Sequence, residues 1–222
     1  MAADEERWRR KQAHYQDPEV VARYDAERFA SARGRASTAR KWRALRRGLG
    51  PEFDEVGSVL DVPCGTGRFT ELLLGAGKRV VNADRSLPML LAARHKVGAG
   101  RARELVCDAE RLPFADRSFD LVLSVRFLFH VPRERRPVIL RELGRVSRRW
   151  IVVDVRHTYS FATWSKRARA RFFGRRPPSA RYTLSGIDAD LEAAGLRLRR
   201  RLWIAPLFSE KMLLVCERDG AT

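Results

Sequence analysis

Three short apolar runs, each stopping at an aspartate, constrain this chain more than anything else in it. They are SVLDV (58–62, with Asp61), RVVNAD (79–84, with Asp84) and ELVCDA (104–109, with Asp108). Each is too short for a helix and has the length of a strand buried on both faces. Between the first two, RFTELLLGAG (68–77) reads as a helix closed by glycine. Between the second and third, SLPMLLAARHKV (86–97) reads as a helix with Ser86 as N-cap and Pro88 in its first turn. The alternation continues with a strand at 118–125, a helix at 133–147, a strand at 150–155 and a helix from Thr183 to Gly195. Two closing strands, 196–204 and 211–217, are joined by the short PLFS link without a helix, which predicts an antiparallel edge. The whole pattern predicts an α/β chain with a mostly parallel sheet covered on both faces.

The first 50 residues differ. Residues 5–48 read as helix, broken at Asp17-Pro18, with Trp8, Tyr15, Val20, Tyr24 and Phe29 as inward anchors, and Gly48-Leu49-Gly50-Pro51 then punctuates the chain. The expected organisation is an N-terminal helical extension and lid over 1–50, then one domain over 51–222 with a basic lid insertion at about 157–182. A total of 222 residues suits a single domain with such an extension.

In an open α/β sheet, ligands bind beyond the carboxyl ends of the strands. There the sequence Asp61-Val62-Pro63-Cys64-Gly65-Thr66-Gly67 leaves the first strand and opens a helix. Gly65 and Gly67 let the backbone bend and approach a ligand. Asp84, at the end of the second strand, is placed to accept hydrogen bonds from both hydroxyls of a ribose. Asp108, at the end of the third, is placed to read an adenine amino group, with the Ala109 backbone beside it. A dinucleotide fingerprint would need a third glycine where Thr70 stands, and no GKS or GKT marks a P-loop.

VLDVPCGTGRF, VVNADRSLPML, LVCDAERLPFADRSFDLVLSV and LEAAGLRLRR resemble, in order and spacing, the successive motifs of class I S-adenosylmethionine-dependent methyltransferases. The resemblance covers 57–217 and is nearest to the small-molecule and quinone-type enzymes. It implies a Rossmann-like, doubly wound, seven-stranded sheet and S-adenosyl-L-methionine as cofactor. It implies that Asp61, Cys64, Gly65 and Gly67 lie against the methionine part. Asp84 would hold the ribose, Asp108 and Ala109 would flank the adenine, and Arg85 and Met89 would neighbour the adenosine. Pro63 stands where the family usually has glycine, so the loop is expected to reach the cofactor with Gly65 and Gly67 alone.

The acceptor is expected over the end of the fourth strand, where Ser124, Val125, Arg126, Phe127, Phe129 and His130 cluster, with Ser124 counted among the cofactor contacts. His130 suits a proton acceptor near neutral pH, but a histidine at this point more often serves its loop in a structural or capping role. Arg126 suits an acidic substrate or the loop's own carbonyls. His14, His95 and His157 form no visible metal set.

Charge bears on the partner. The net charge is +18, from 45 basic and 27 acidic residues. The excess sits in 1–50 (13 basic, 7 acidic) and 133–201 (19 basic, 6 acidic), whereas 51–132 is balanced at 11 and 11. Only six of the 45 are lysine, as a coding preference for arginine would give. Within 160–176, Phe161, Trp164, Ala168 and Phe172 share a helix face, and Lys166, Arg167, Arg169 and Arg171 load the rest, with Arg175 and Arg176 beyond. That pattern fits a lid helix packed on its own domain, or one that meets an anionic membrane surface.

Three widely spaced cysteines, Cys64, Cys107 and Cys216, exclude a disulfide scaffold and fit a reducing cytoplasm. No apolar run is long enough to span a bilayer, and the charged start is no secretory signal. The leading expectation is methyl transfer to a small-molecule or lipid-linked acceptor, in the cytoplasm or peripherally at the inner membrane. The alternatives are an RNA methyltransferase using the basic face and a non-catalytic interaction subunit. No NPPY or DPPY tetrad follows the fourth strand, which weighs against the RNA alternative.

Overall fold

A computed structural model describes residues 2–172, 182–205 and 209–218. Helix α1 (Ala2–His14) is followed by α2 (Pro18–Phe29), α3 (Ala32–Leu49) and the short α4 (Glu52–Glu55). Strand β1 (Ser58–Asp61), α5 (Arg68–Gly75), β2 (Arg79–Asp84), α6 (Leu87–Val97) and β3 (Arg103–Val106) then alternate. β4 (Phe119–Ser124), α7 (Arg136–Val146), β5 (Ser147–Arg156), α8 (Phe161–Phe172), α9 (Leu184–Glu192), β6 (Leu196–Trp203) and β7 (Lys211–Arg218) complete the order.

The seven strands form one sheet in the order β3-β2-β1-β4-β5-β7-β6. The first five strands pair in parallel, and β7 pairs antiparallel with both β5 and β6. The antiparallel strand therefore sits one place in from the edge, and β6 forms the edge itself. Strand order reverses between β1 and β4, so the carboxyl end of β1 faces the crevice where ligands gather in such sheets.

Side-chain alternation explains why both faces are covered. On β5, Ile151, Val153 and Val155 enter one core with α7 and α9 residues such as Ile139, Leu143, Ile187 and Leu191. Val152 points to the other core, with Leu45 and Leu49 of α3 and Phe69 and Leu73 of α5. On β7, Met212, Leu214 and Cys216 join the first core and Leu213 and Val215 the second. Burying each such Leu, Ile, Val or Met contributes about 1.5–3 kcal/mol. Thus α3, at the end of the N-terminal helices, belongs to the layer that covers the sheet.

The helix breaks are set by caps. The Asp17 carboxylate accepts from Glu19 N–H at the start of α2, with Pro18 in the first turn. A second break falls at Ser31, whose hydroxyl accepts from Gly34 N–H and starts α3. The expectation of continuous helix from Pro18 to 48 missed it. Among the expected anchors, Val20 is only half-buried, and its neighbour Val21 is the buried one.

Helix α8 lies between β5 and α9, where the basic insertion was expected. Phe161, Trp164 and Phe172 are 62%, 66% and 83% exposed, so the reading of a helix that packs its aromatics on its own domain does not hold for them. The side chains of Lys166, Arg167 and Ala168, and residues Arg175 and Arg176, lie outside the described residues, as do 206–208 of the PLFS link.

Candidate functional site

The turn after β1 builds the floor of a cleft. Val62 N–H donates to Leu123 O and so extends the β1–β4 pairing by one residue. Cys64 N–H then donates to Ala83 O at the end of β2, and Gly67 N–H to Cys64 O. Gly65 (φ 54°) and Gly67 (φ 72°) both adopt left-handed backbone, which an L side chain disfavours. The two glycines differ in purpose. A Cβ at Gly65 would meet nothing within 4 Å, because it would project into the cleft. A Cβ at Gly67 would stand 2.9 Å from the Ala93 Cβ of α6, so Gly67 serves helix packing.

Asp84 is the main polar group of the floor. Its Oδ2 accepts from Gly65 N–H and its Oδ1 from Ser86 N–H, both at 2.9 Å. It is buried, and among the described residues no cation pairs with it. Burial pushes its carboxyl up to about 6, against the pull of those backbone N–H groups. A buried carboxylate facing a cavity, with lone pairs to spare, is matched by a ligand that brings hydroxyl donors.

The cleft encloses about 970 Å³ when counted out to its open mouth. It is lined by Cys64, Gly65, Asp84, Arg85, Met89, Asp108, Ala109, Arg126 and His130, nine of the twelve residues the sequence singled out. Asp61, Gly67 and Ser124 do not line it. Asp61 points into the protein, where its Oδ2 accepts from the Thr70 hydroxyl and burial pushes its carboxyl up to about 7. Ser124 is fully buried in β4. Asp108 lines the cleft but is engaged, its Oδ2 accepting from Arg85 Nη1 at 3.0 Å and its Oδ1 from Glu110 N–H. Cys64 and Cys107 are held as thiols, since burial raises both.

Helices α1 and α2 supply the opposite wall. Trp8, Lys11 and Gln12 line the cleft from α1, Tyr15 from the turn just after it, and Tyr24 from α2. Trp8 packs on Phe127, with ring centroids 5.7 Å apart. The wall is tied to the floor: Gln16 Nε2 donates to Arg85 O, the Ser86 hydroxyl to Tyr15 O, and the Thr66 hydroxyl to Asp25, which also pairs with Lys96. Phe29 is set back from the cleft, stacked against the guanidinium of Arg68 (3.2 Å to the ring centroid) and that of Arg126 (4.9 Å). Sequence reasoning missed Lys11, Gln12 and Arg68. Trp8, Lys11, Gln12 and Tyr15 fall at helical spacings of 3, 1 and 3, so one face of α1, continued into the turn just after it, carried the signal.

Arg126 has φ 67°, and its N–H donates to Asp154. The other Asp154 oxygen pairs with the Lys41 ammonium, and both side chains are almost wholly buried. This pair fixes the turn after β4. His130 stands in that turn, its ring 4.1 Å from the Phe129 ring. Burial, with Lys11, Arg156 and Arg126 nearby, pushes its imidazole down to about 2, so it is neutral at any ordinary pH.

Comparison with known proteins agrees with this geometry. Residues 60–149 match the family model described as a methyltransferase domain. A demethylmenaquinone methyltransferase of Renibacterium salmoninarum is 36% identical over 138 residues, covering 59% of this chain and 52% of that one. A tRNA U34 carboxymethyltransferase of Methylococcus capsulatus is 37% identical over 94 residues, covering 40% of this chain and 28% of that one. The chain thus spans about half the length, or less, of these curated relatives. Magnesium protoporphyrin IX methyltransferase from Synechocystis PCC 6803, solved with S-adenosylhomocysteine bound, superimposes with a TM-score of 0.61 at 16% identity, covering 81% of this chain and 94% of that one. Residues 60–149 thus match a methyltransferase domain, and the chain has the fold of the S-adenosylmethionine-dependent methyltransferases.

Proposed function

We propose that the protein uses this domain to transfer a methyl group from S-adenosyl-L-methionine to a small-molecule or lipid-linked acceptor. The observation that carries the reading is the Asp84–Gly65 arrangement: a buried, cation-free carboxylate beside a glycine whose missing Cβ leaves a cradle. When bound, the cofactor supplies an electrophilic methyl on a sulfonium. The protein's share is to hold, align and dry the reactants. Asp84 accepts the ribose hydroxyls, the Gly65 backbone gives room for the methionine part, and Met89, Cys107 and Ala109 offer apolar surface to the adenine. Trp8, Tyr15 and Tyr24 close the cleft against water. Positioning of this kind can contribute roughly 7–11 kcal/mol to a bimolecular transfer.

Titration calorimetry with S-adenosylmethionine and S-adenosylhomocysteine tests the reading. Saturable binding of both at a stoichiometry of one is expected. No heat from either would leave the interaction-subunit alternative.

A second element of the proposal concerns α8. Among the described residues no helix is long and apolar enough to cross a membrane. Yet α8 exposes Phe161, Trp164 and Phe172 beside the exposed Arg169 and Arg171. Exposed aromatics on a basic helix favour an anionic bilayer, where rings enter the interface and arginines meet headgroups. Cosedimentation with phosphatidylglycerol vesicles is expected to fall at least about tenfold when Phe161, Trp164 and Phe172 all become serine, each ring having buried apolar area in the bilayer. Unchanged cosedimentation would remove the membrane from the proposal. The RNA alternative has the tRNA-modifying relative in its favour, but the cleft wall formed by α1 and α2 favours a small acceptor.

A further inference from the structure

Many arginines of this basic protein have acidic partners among the described residues. Arg135 holds Glu5 and Glu110, Arg145 holds Glu142 and Asp116, and Arg148 holds Asp120. The cleft is different. Lys11, Arg68 and Arg126 line it from three separate elements, and Arg28 stacks on the Tyr24 ring at its edge. Among the described residues no carboxylate lies within ion-pair distance of any of these four. Arg68 has the Thr38 hydroxyl at 3.0 Å, and the Arg126 Nε is buried without a hydrogen-bond partner. Of the carboxylates that do line the cleft, Asp108 is held by Arg85, while Asp84 accepts from backbone N–H groups and keeps its remaining lone pairs for hydroxyl donors.

Cations gathered in a half-buried cavity repel one another and lose hydration together. The strain is visible on Lys11, whose ammonium is pushed down to about 8 by burial and by Arg28, Arg156 and Arg126. An anion entering between these groups would relieve both costs at once. A neutral acceptor would relieve neither.

Resting on the reading of the cleft as a methyl-donor site, we infer that the acceptor is an anionic small molecule whose carboxylate or phosphate is seated by Lys11 and Arg126 beside His130. Two cations from different elements define a direction as well as a charge, so the anion orients the acceptor toward the cofactor. The binding group has to be small, because α1 and α2 close over the cleft through Gln16, Ser86 and Asp25. One rival anion exists, the cofactor's own methionine carboxylate, and the experiment separates the two.

The full-length protein, saturated with S-adenosylhomocysteine, is titrated with phenyl phosphate, phenylacetate and the neutral phenylacetamide. The two anions are expected to bind at least tenfold more tightly than the amide. Lys11→Gln and Arg126→Gln should each weaken the anions tenfold or more, with the affinity for S-adenosylhomocysteine changing less than threefold. Arg126→Lys, which keeps the charge, should recover most of the loss. Equal binding of amide and acid would overturn the inference. So would variants that lose S-adenosylhomocysteine instead of the probes, since the cations would then serve the cofactor. Salt-sensitive binding of tRNA with no binding of the small anions would overturn it in favour of nucleic acid. A wild-type protein that ignores S-adenosylhomocysteine but still takes phenyl phosphate would fail the methyl-donor reading and leave the anion site standing.

Discussion

Asp84→Ala is expected to weaken S-adenosylhomocysteine binding at least about 100-fold, the loss of two charge-assisted hydrogen bonds at about 1.5–3 kcal/mol each. Asp84→Asn should come close to it, because the amide removes the charge while keeping the shape. The pH dependence follows from the same group. Burial holds its carboxyl at about 6, so below that pH the acid takes a proton and loses acceptor capacity. Affinity should then fall by up to about tenfold per pH unit.

Folding responds in the opposite sense. A carboxyl whose folded pKa lies above its unfolded value of 3.8 binds more protons in the native state between those two values. Its contribution to stability is therefore present at low pH and is lost as pH rises through about 6. Asp61, pushed up to about 7, acts in the same direction. Thermal unfolding from pH 5 to 8 should show this component favouring the ligand-free protein at the acid end, where the shift produced by S-adenosylhomocysteine is smallest. A ligand-induced shift that grows on acidification would contradict the assignment of Asp84.

Lys41→Met is the substitution expected to cost most stability. It leaves Asp154 buried, still accepting from Arg126 N–H, with no cation opposite. Breaking one side of a buried pair typically costs about 3–5 kcal/mol. For a chain of this size each kcal/mol lowers Tm by roughly 2–4 °C, so a fall on the order of 10 °C is expected. The double variant Lys41→Met, Asp154→Asn should recover part of it, since the uncompensated charge is gone. A Tm of Lys41→Met within 2 °C of wild type would show that water reaches Asp154. The neighbouring Arg126 turn should loosen as well, so weaker binding of the anionic probes would accompany the lower Tm.

The sequence was most informative where local chemistry decides structure. β1 and β2 end at Asp61 and Asp84 as expected, because a short apolar run followed by a glycine turn or a capped helix start leaves the chain few alternatives, whereas β3 stops at Val106, two residues before Asp108. Ser86 and Pro88 announced α6 through their own bonding. The floor of the cleft was legible for the same reason. What depended on packing between distant segments was not. Gly65 and Gly67 look alike in sequence, and only the approach of Ala93 separates a ligand cradle from a helix contact. Asp61 carries the same strand-end signature as Asp84, yet the Thr70 hydroxyl draws it inward. Lys41 gave no hint of its partner 113 positions away. The exposure of Phe161 and Trp164 was likewise undecided, since a helical period says which residues share a face and not what that face meets.

The placement of β7 between β5 and β6 has a consequence for synthesis. As the chain leaves the ribosome, β5 and then β6 emerge with a vacant slot between them, and nothing in the first six strands can fill it. Until Met212–Cys216 arrive, the nascent sheet presents raw amide edges and the greasy flanks of Ile151 and Val153. A chain truncated before Lys211 would keep that slot open, and chaperone capture should concentrate on it.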